Sequence, residues 1–148
     1  MQITALLASL ALTASTTTAL ILPIFTPTPS QMVANNYDSA VKCAAKNPQM
    51  NTLISSYCGH NSGSGLTIGG PFTRQGLLYD GYRALITGPN CPADNKFVPF
   101  KYCMAQFQYM CANVGGPKGA EATMHFGKNG CQTWKLINCA KEGGCHPL

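Results

Sequence analysis

Apolar residues fall in short runs along this chain, and their spacing changes from helical to alternating as the sequence proceeds. Ile3 to Leu12 (ITALLASLAL) is apolar throughout and carries no charge. It is too short to cross a bilayer. The small residues Thr17 and Ala19 stand where a signal peptidase inspects the chain, so residues 1–19 read as a signal peptide cleaved after Ala19. Residues 20–34 follow as a Pro-rich extended arm, with three prolines in LILPIFTPTPSQM. Asp38 is placed to cap a helix through SAVKCAAKN, which Asn47-Pro48 stops, with either Ala40 and Ala44 or Val41 and Ala45 beside Cys43. Gln49 to Tyr57 is a second short helical segment carrying Met50, Leu53 and Ile54. Gly59 to Pro71 (GHNSGSGLTIGGP) then reads as an exposed loop that interrupts any element.

Phe72 to Thr87 fits two patterns. Leu77, Leu78, Tyr82 and Leu85 share a helical face, but Asp80-Gly81 between two apolar runs is a hairpin signal, and two internal glycines favour the hairpin. After Pro99 the clearest helix begins, with Phe100, Cys103, Met104, Phe107, Met110 and Cys111 recurring at three and four residues as the central core element. Gly115-Gly116-Pro117 ends it. Ala122 to Phe126 and Cys131 to Ile137 form a second hairpin around Gly127-Lys128-Asn129-Gly130, with Trp134 and Leu136 on one face. The whole reads as α+β, a small disulfide-stapled sandwich of helices on an antiparallel sheet, in a single domain over residues 35–148.

Eight cysteines lie beyond the leader: Cys43, Cys58, Cys91, Cys103, Cys111, Cys131, Cys139 and Cys145. An even count behind a signal peptide predicts four disulfides. No Cys-x-x-Cys spacing occurs, so neither a zinc ribbon nor a thioredoxin-type pair is expected, and no metal or other cofactor is implied. Cys103 and Cys111 on one helix stand about 12 Å apart along its axis, too far to join each other, so each bridges to a different element. The remaining connectivity is open.

Only 10% of the residues are charged, with ten basic and five acidic side chains and a net charge of +5. An average globular protein carries roughly 25%, so Ser, Thr, Asn, Gln and Gly must build much of this surface. The basic residues are scattered, which excludes a dense nucleic-acid-binding run and leaves mild attraction to anionic surfaces. Gly-x-Ser-x-Gly, His-Glu-x-x-His and phosphate-cradling loops are missing. Glu121 with His125 is the best acid/base pair, as in a small secreted ribonuclease, and otherwise no catalytic residue is assigned.

From Cys103 to Ile137 the chain runs Cys, an aromatic helical stretch, Cys, Gly-Gly, then Phe-Gly-Lys-Asn-Gly-Cys, Trp and an aliphatic pair. This stretch resembles the C-terminal half of fungal small secreted cysteine-rich proteins, which include effector-like, necrosis-inducing and killer-toxin-like chains. The resemblance implies an extracellular protein that acts on a host or competitor, with a role in virulence, and it carries over no catalytic residue.

Thirteen aromatic side chains in a charge-poor protein supply flat amphipathic faces for binding. Phe100, Phe107 and Trp134 are assigned to the core by periodicity, and Tyr57, Tyr79, Tyr82, Tyr102 and Tyr109 to the surface. Tyr79, Tyr82, Lys128 and Asn129 are the candidate contact residues, together with the Gly59 to Pro71 loop. The expectation is a secreted interaction protein of the effector or toxin-like kind, binding a host or competitor protein, with no specific nucleic acid and no transmembrane anchor. A cell-wall glycan-binding module is the second reading and a small ribonuclease-like hydrolase the third.

Overall fold

The fold is α+β, as the pattern predicts: in the computed structural model, which describes residues 26–141 and Cys145, helices pack on one face of an antiparallel sheet. Residues 1–19, expected to be a signal peptide, and residues 20–25 of the expected arm lie outside the described residues. Three helices open the described chain: α1 (Pro29–Ala34), α2 (Asn36–Lys46) and α3 (Pro48–Cys58). Asn47 both ends α2 and starts α3, its side chain accepting from the Met50 backbone N–H at 2.9 Å while Pro48 occupies the first helical position, where no N–H is needed.

Two strands flank a short helix in the next segment: β1 (Gly65–Thr67), α4 (Pro71–Gln75) and β2 (Leu77–Tyr79). Strand β3 (Tyr82–Thr87) returns antiparallel to β2 around Asp80 and Gly81, which have φ of 46° and 78°. That doubly left-handed turn is what Asp-Gly supplies at low cost. After β4 (Phe97–Pro99), α5 (Phe100–Tyr109) widens into a π-turn over Met110–Val114. The Lys46 ammonium donates to the Ala112 carbonyl there, so the end of α2 caps the end of the long helix. The hairpin β5 (Ala122–Phe126) and β6 (Gln132–Asn138) completes the chain.

The main sheet has the order β2-β3-β6-β5, all antiparallel, and a separate pair joins β1 to β4. Alternation sends Ala84, Ile86, Ala122, Phe126, Trp134 and Leu136 to one face, all buried. There Trp134 meets Phe107 of α5 at 4.7 Å and Phe126 at 5.1 Å between ring centroids. Its indole N–H donates to Gln132 Oε1 at 2.9 Å, which satisfies the one polar atom this ring brings into the core. On the other face Arg83 donates to the Cys145 carbonyl at 3.0 Å.

All eight cysteines are paired: Cys43 with Cys111, Cys58 with Cys103, Cys91 with Cys131 and Cys139 with Cys145. Cys103 and Cys111 thus reach two different helices, α3 and α2, as their separation on the long helix requires. No helix among the described residues is long and apolar enough to cross a membrane.

Several expectations are corrected. The arm is not extended to residue 34: Thr28 forms a reciprocal capping box with Gln31, Pro29 starts α1, and Met32 is buried. Asn35, not Asp38, precedes α2, whose inner face carries Ala40 and Ala44 at half burial while Val41 and Ala45 are exposed. The Gly59 to Pro71 segment is not only an exposed loop, since β1 runs through it and Leu66 and Ile68 are buried. Phe100 stands 36% exposed because it occupies the first turn of α5, beyond the stripe formed by Cys103, Phe107, Met110 and Cys111. Tyr57, expected at the surface, is buried between Phe72 and Phe107.

Candidate functional site

Tyr79 and Tyr82 face each other across the β2–β3 hairpin, Tyr79 exposed at 45% and Tyr82 half-buried against the core. Lys128 and Asn129 are both exposed in the turn between β5 and β6, where Asn129 takes a φ of 56°. The register separates the two pairs. Tyr82 lies opposite Asn138 at the end of β6, whereas Lys128 and Asn129 precede its start at Gln132. From Gln132 to Asn138 the strand advances by six steps, about 20 Å at roughly 3.3 Å each. The four candidate residues therefore belong to opposite ends of the sheet and form no single site.

Glu121 and His125 are not brought together either. Glu121 receives the Lys141 ammonium at 3.1 Å, and His125 Nδ1 lies 3.2 Å from the Thr133 hydroxyl. Four residues of extended chain hold them about 13 Å apart, beyond the reach of one reacting atom. Glu142 and His146 lie outside the described residues. Among the described residues no cluster of His, Cys, Asp or Glu could hold a metal ion.

A cleft that the sequence pattern did not single out lies at the Lys128 end of the sheet. It encloses about 530 Å³ and is lined by Gly69, Arg74, Thr87, Gly88, Pro89 and Lys96. Each wall is fixed by identifiable bonds. On one side Ile68 N–H donates to the Lys96 carbonyl at 2.6 Å, which joins the segments carrying Gly69 and Lys96. On another, the buried Thr73 hydroxyl accepts from Gly69 N–H at 3.2 Å and lies 3.1 Å from the Gly70 carbonyl. The Thr73 carbonyl in turn accepts from the Tyr57 phenol at 3.3 Å, so α4 and its Arg74 are tied to the core. Burial pushes the Tyr57 phenol above its ordinary range, and a hydrogen bond from the Ile86 backbone opposes this only in part.

The cleft floor needs glycine. A Cβ on Gly88 would stand 2.9 Å from Cys91 Sγ and 3.3 Å from the Cys131 carbonyl, so the Cys91–Cys131 bridge closes directly beneath it. Lys128 is not in the lining, but it is tied to the segment beside it: its N–H donates to Asn95 Oδ1 at 2.8 Å, and Gln132 Nε2 donates to the Asn95 carbonyl at 2.9 Å. These bonds hold the turn against the segment that leads into Lys96. Sequence reading missed the cleft because its two cations lie on separate segments, each resembling solvated surface charge. The one available sign was that Arg74 and Lys96 both border Gly-rich or Pro-rich turns.

The described elements thus define a small α+β protein held by four disulfides, with a walled cleft at one end of the sheet and an exposed tyrosine on the hairpin at the other. No family model matches the chain, no curated protein is significantly similar to it, and no solved structure matches it.

Proposed function

We propose that this protein is exported and acts by binding, as an effector or toxin-like factor directed at a host or competitor. The observation that carries this reading is the bridge pattern: three of the four disulfides span 40 residues or more and brace the helical layer and the cleft floor. Such pairs persist in oxidising compartments and suit a protein that must survive outside a cell without chaperones. The apolar leader at Ile3 to Leu12 agrees with that route. The exposed Leu78 and Tyr79 on an edge strand favour a second reading, a cell-wall glycan-binding module, because an exposed ring is the usual platform for a sugar face.

The experiment expresses the full chain in a eukaryotic secretory host, analyses the medium by mass spectrometry, and applies the purified oxidised protein to intact competitor cells and host tissue. The expected result is a mature chain beginning at Leu20 with four bridges, and growth arrest or cell death that disappears after reduction and alkylation. Retention inside the cell with free thiols overturns the proposal. Binding to chitin or glucan arrays with no effect on living cells overturns it in favour of the glycan-binding reading.

A further inference from the structure

We propose that the cleft between α4, the end of β3 and the segment leading into β4 is a binding site for a small organic oxyanion, a carboxylate, sulfate or phosphate borne on a compact body. This inference concerns the cleft alone and does not depend on the biological role proposed above.

Its lining is unusual for a protein so poor in charge. Two of the six residues, Arg74 and Lys96, are cationic and none is acidic. Among the described residues neither side chain has an ion pair or hydrogen bond, and the ion pair Lys141–Glu121 lies elsewhere. Asp94, exposed on the 3-10 turn before Lys96, lies outside the lining. The cleft thus carries two cations and no acid in its lining.

The shape sets the size of that partner. A volume of about 530 Å³ falls within the roughly 300–1,000 Å³ typical of small-molecule sites. Gly69, Gly88 and Pro89 present backbone and ring atoms rather than mobile side chains, so little conformational entropy is lost when a ligand seats against them. The Thr87 hydroxyl is the one neutral polar side chain in the lining and can both donate and accept. Arg74 offers a planar fork matched to two oxygens of one oxyanion, and Lys96 supplies a second, point-like charge from another segment.

The test is titration of ¹⁵N-labelled oxidised protein with inorganic phosphate, citrate and glucose 6-phosphate, with glucose as the neutral control. Saturable shifts of the Gly69 and Gly88 amides are expected, at concentrations up to about 10 mM, with no response to glucose. Inorganic phosphate acting alone would identify a free-anion site. A stronger response to citrate or glucose 6-phosphate would identify a carboxylate or phosphate on an organic body. Arg74→Gln and Lys96→Gln are exposed changes, and each should weaken binding by about tenfold while the melting temperature is kept. Lys135→Gln, on the outer face of the sheet, should leave it unchanged. Three results would overturn the proposal: no shift at the highest concentration, equal shifts around every surface lysine, or undiminished binding in the folded Arg74→Gln/Lys96→Gln double variant.

Discussion

Tyr57 shows how one side chain can join core and cleft. Its ring stacks on Phe72 at 5.2 Å, and its phenol donates to the Thr73 carbonyl next to Arg74. Burial raises its ionisation above the ordinary value of about 10. Because the folded value is the higher one, the contribution to stability is complete below about pH 10 and is lost as the pH rises toward the folded value. Urea melts across alkaline pH should therefore show stability falling above about pH 10, with a shallower fall in Tyr57→Phe. At neutral pH the same variant should lose about 1 kcal/mol with the hydrogen bond. An unchanged alkaline slope in Tyr57→Phe would assign the fall to other groups. Tyr57 was misread from sequence because it stands at the C-terminal end of a short, weakly patterned helical segment, whereas Phe107 and Trp134 sit in longer patterns that fix their faces. The same limit hid the cleft. Arg74 and Lys96 become neighbours only when Ile68 binds the Lys96 carbonyl.

At the scale of elements, the bridges differ in what they restrain. Cys43–Cys111 closes a span of 68 residues and joins α2 to the turn after α5, whereas Cys139–Cys145 closes a span of 6. Chain-entropy reasoning assigns about 4 kcal/mol to the first and about 2 kcal/mol to the last. Paired Cys→Ala replacement should reproduce that order in denaturant midpoints, and the reverse order would show that native packing rather than loop closure sets each bridge's worth. Elements with strong local chemistry were legible: the two hairpins from Asp80-Gly81 and Asn129-Gly130, and α5 from its apolar period. Three others were not. Strands β1 and β4 have three residues each, and β1 lies in a Gly/Ser-rich stretch whose burial depends on pairing with a distant partner. Helix α1 was hidden by the prolines around it, although Thr28 and Gln31 form a capping box that an N-terminal helix signal would have revealed.

Across the whole molecule, ionic contacts contribute little. Lys141–Glu121 is the one ion pair among the described residues, and both side chains are exposed to solvent. Raising the salt concentration to about 0.5 M should shift stability by no more than about 1 kcal/mol, measured by thermal melts of the oxidised protein. A larger loss would mean that charge interactions outside the described residues support the fold. The bridge pattern also constrains the order in which the molecule can be made. Cys43, Cys58 and Cys91 are all synthesised before any of their partners, Cys111, Cys103 and Cys131. Oxidation in order of emergence would join Cys43 to Cys58 and lock α2 to α3 before the long helix existed. A newborn chain must therefore either keep its first three thiols reduced until its second half arrives or undo mistaken partners by exchange. Where early pairing outruns synthesis, the yield of correctly bridged protein would depend on how fast mistaken bridges are exchanged.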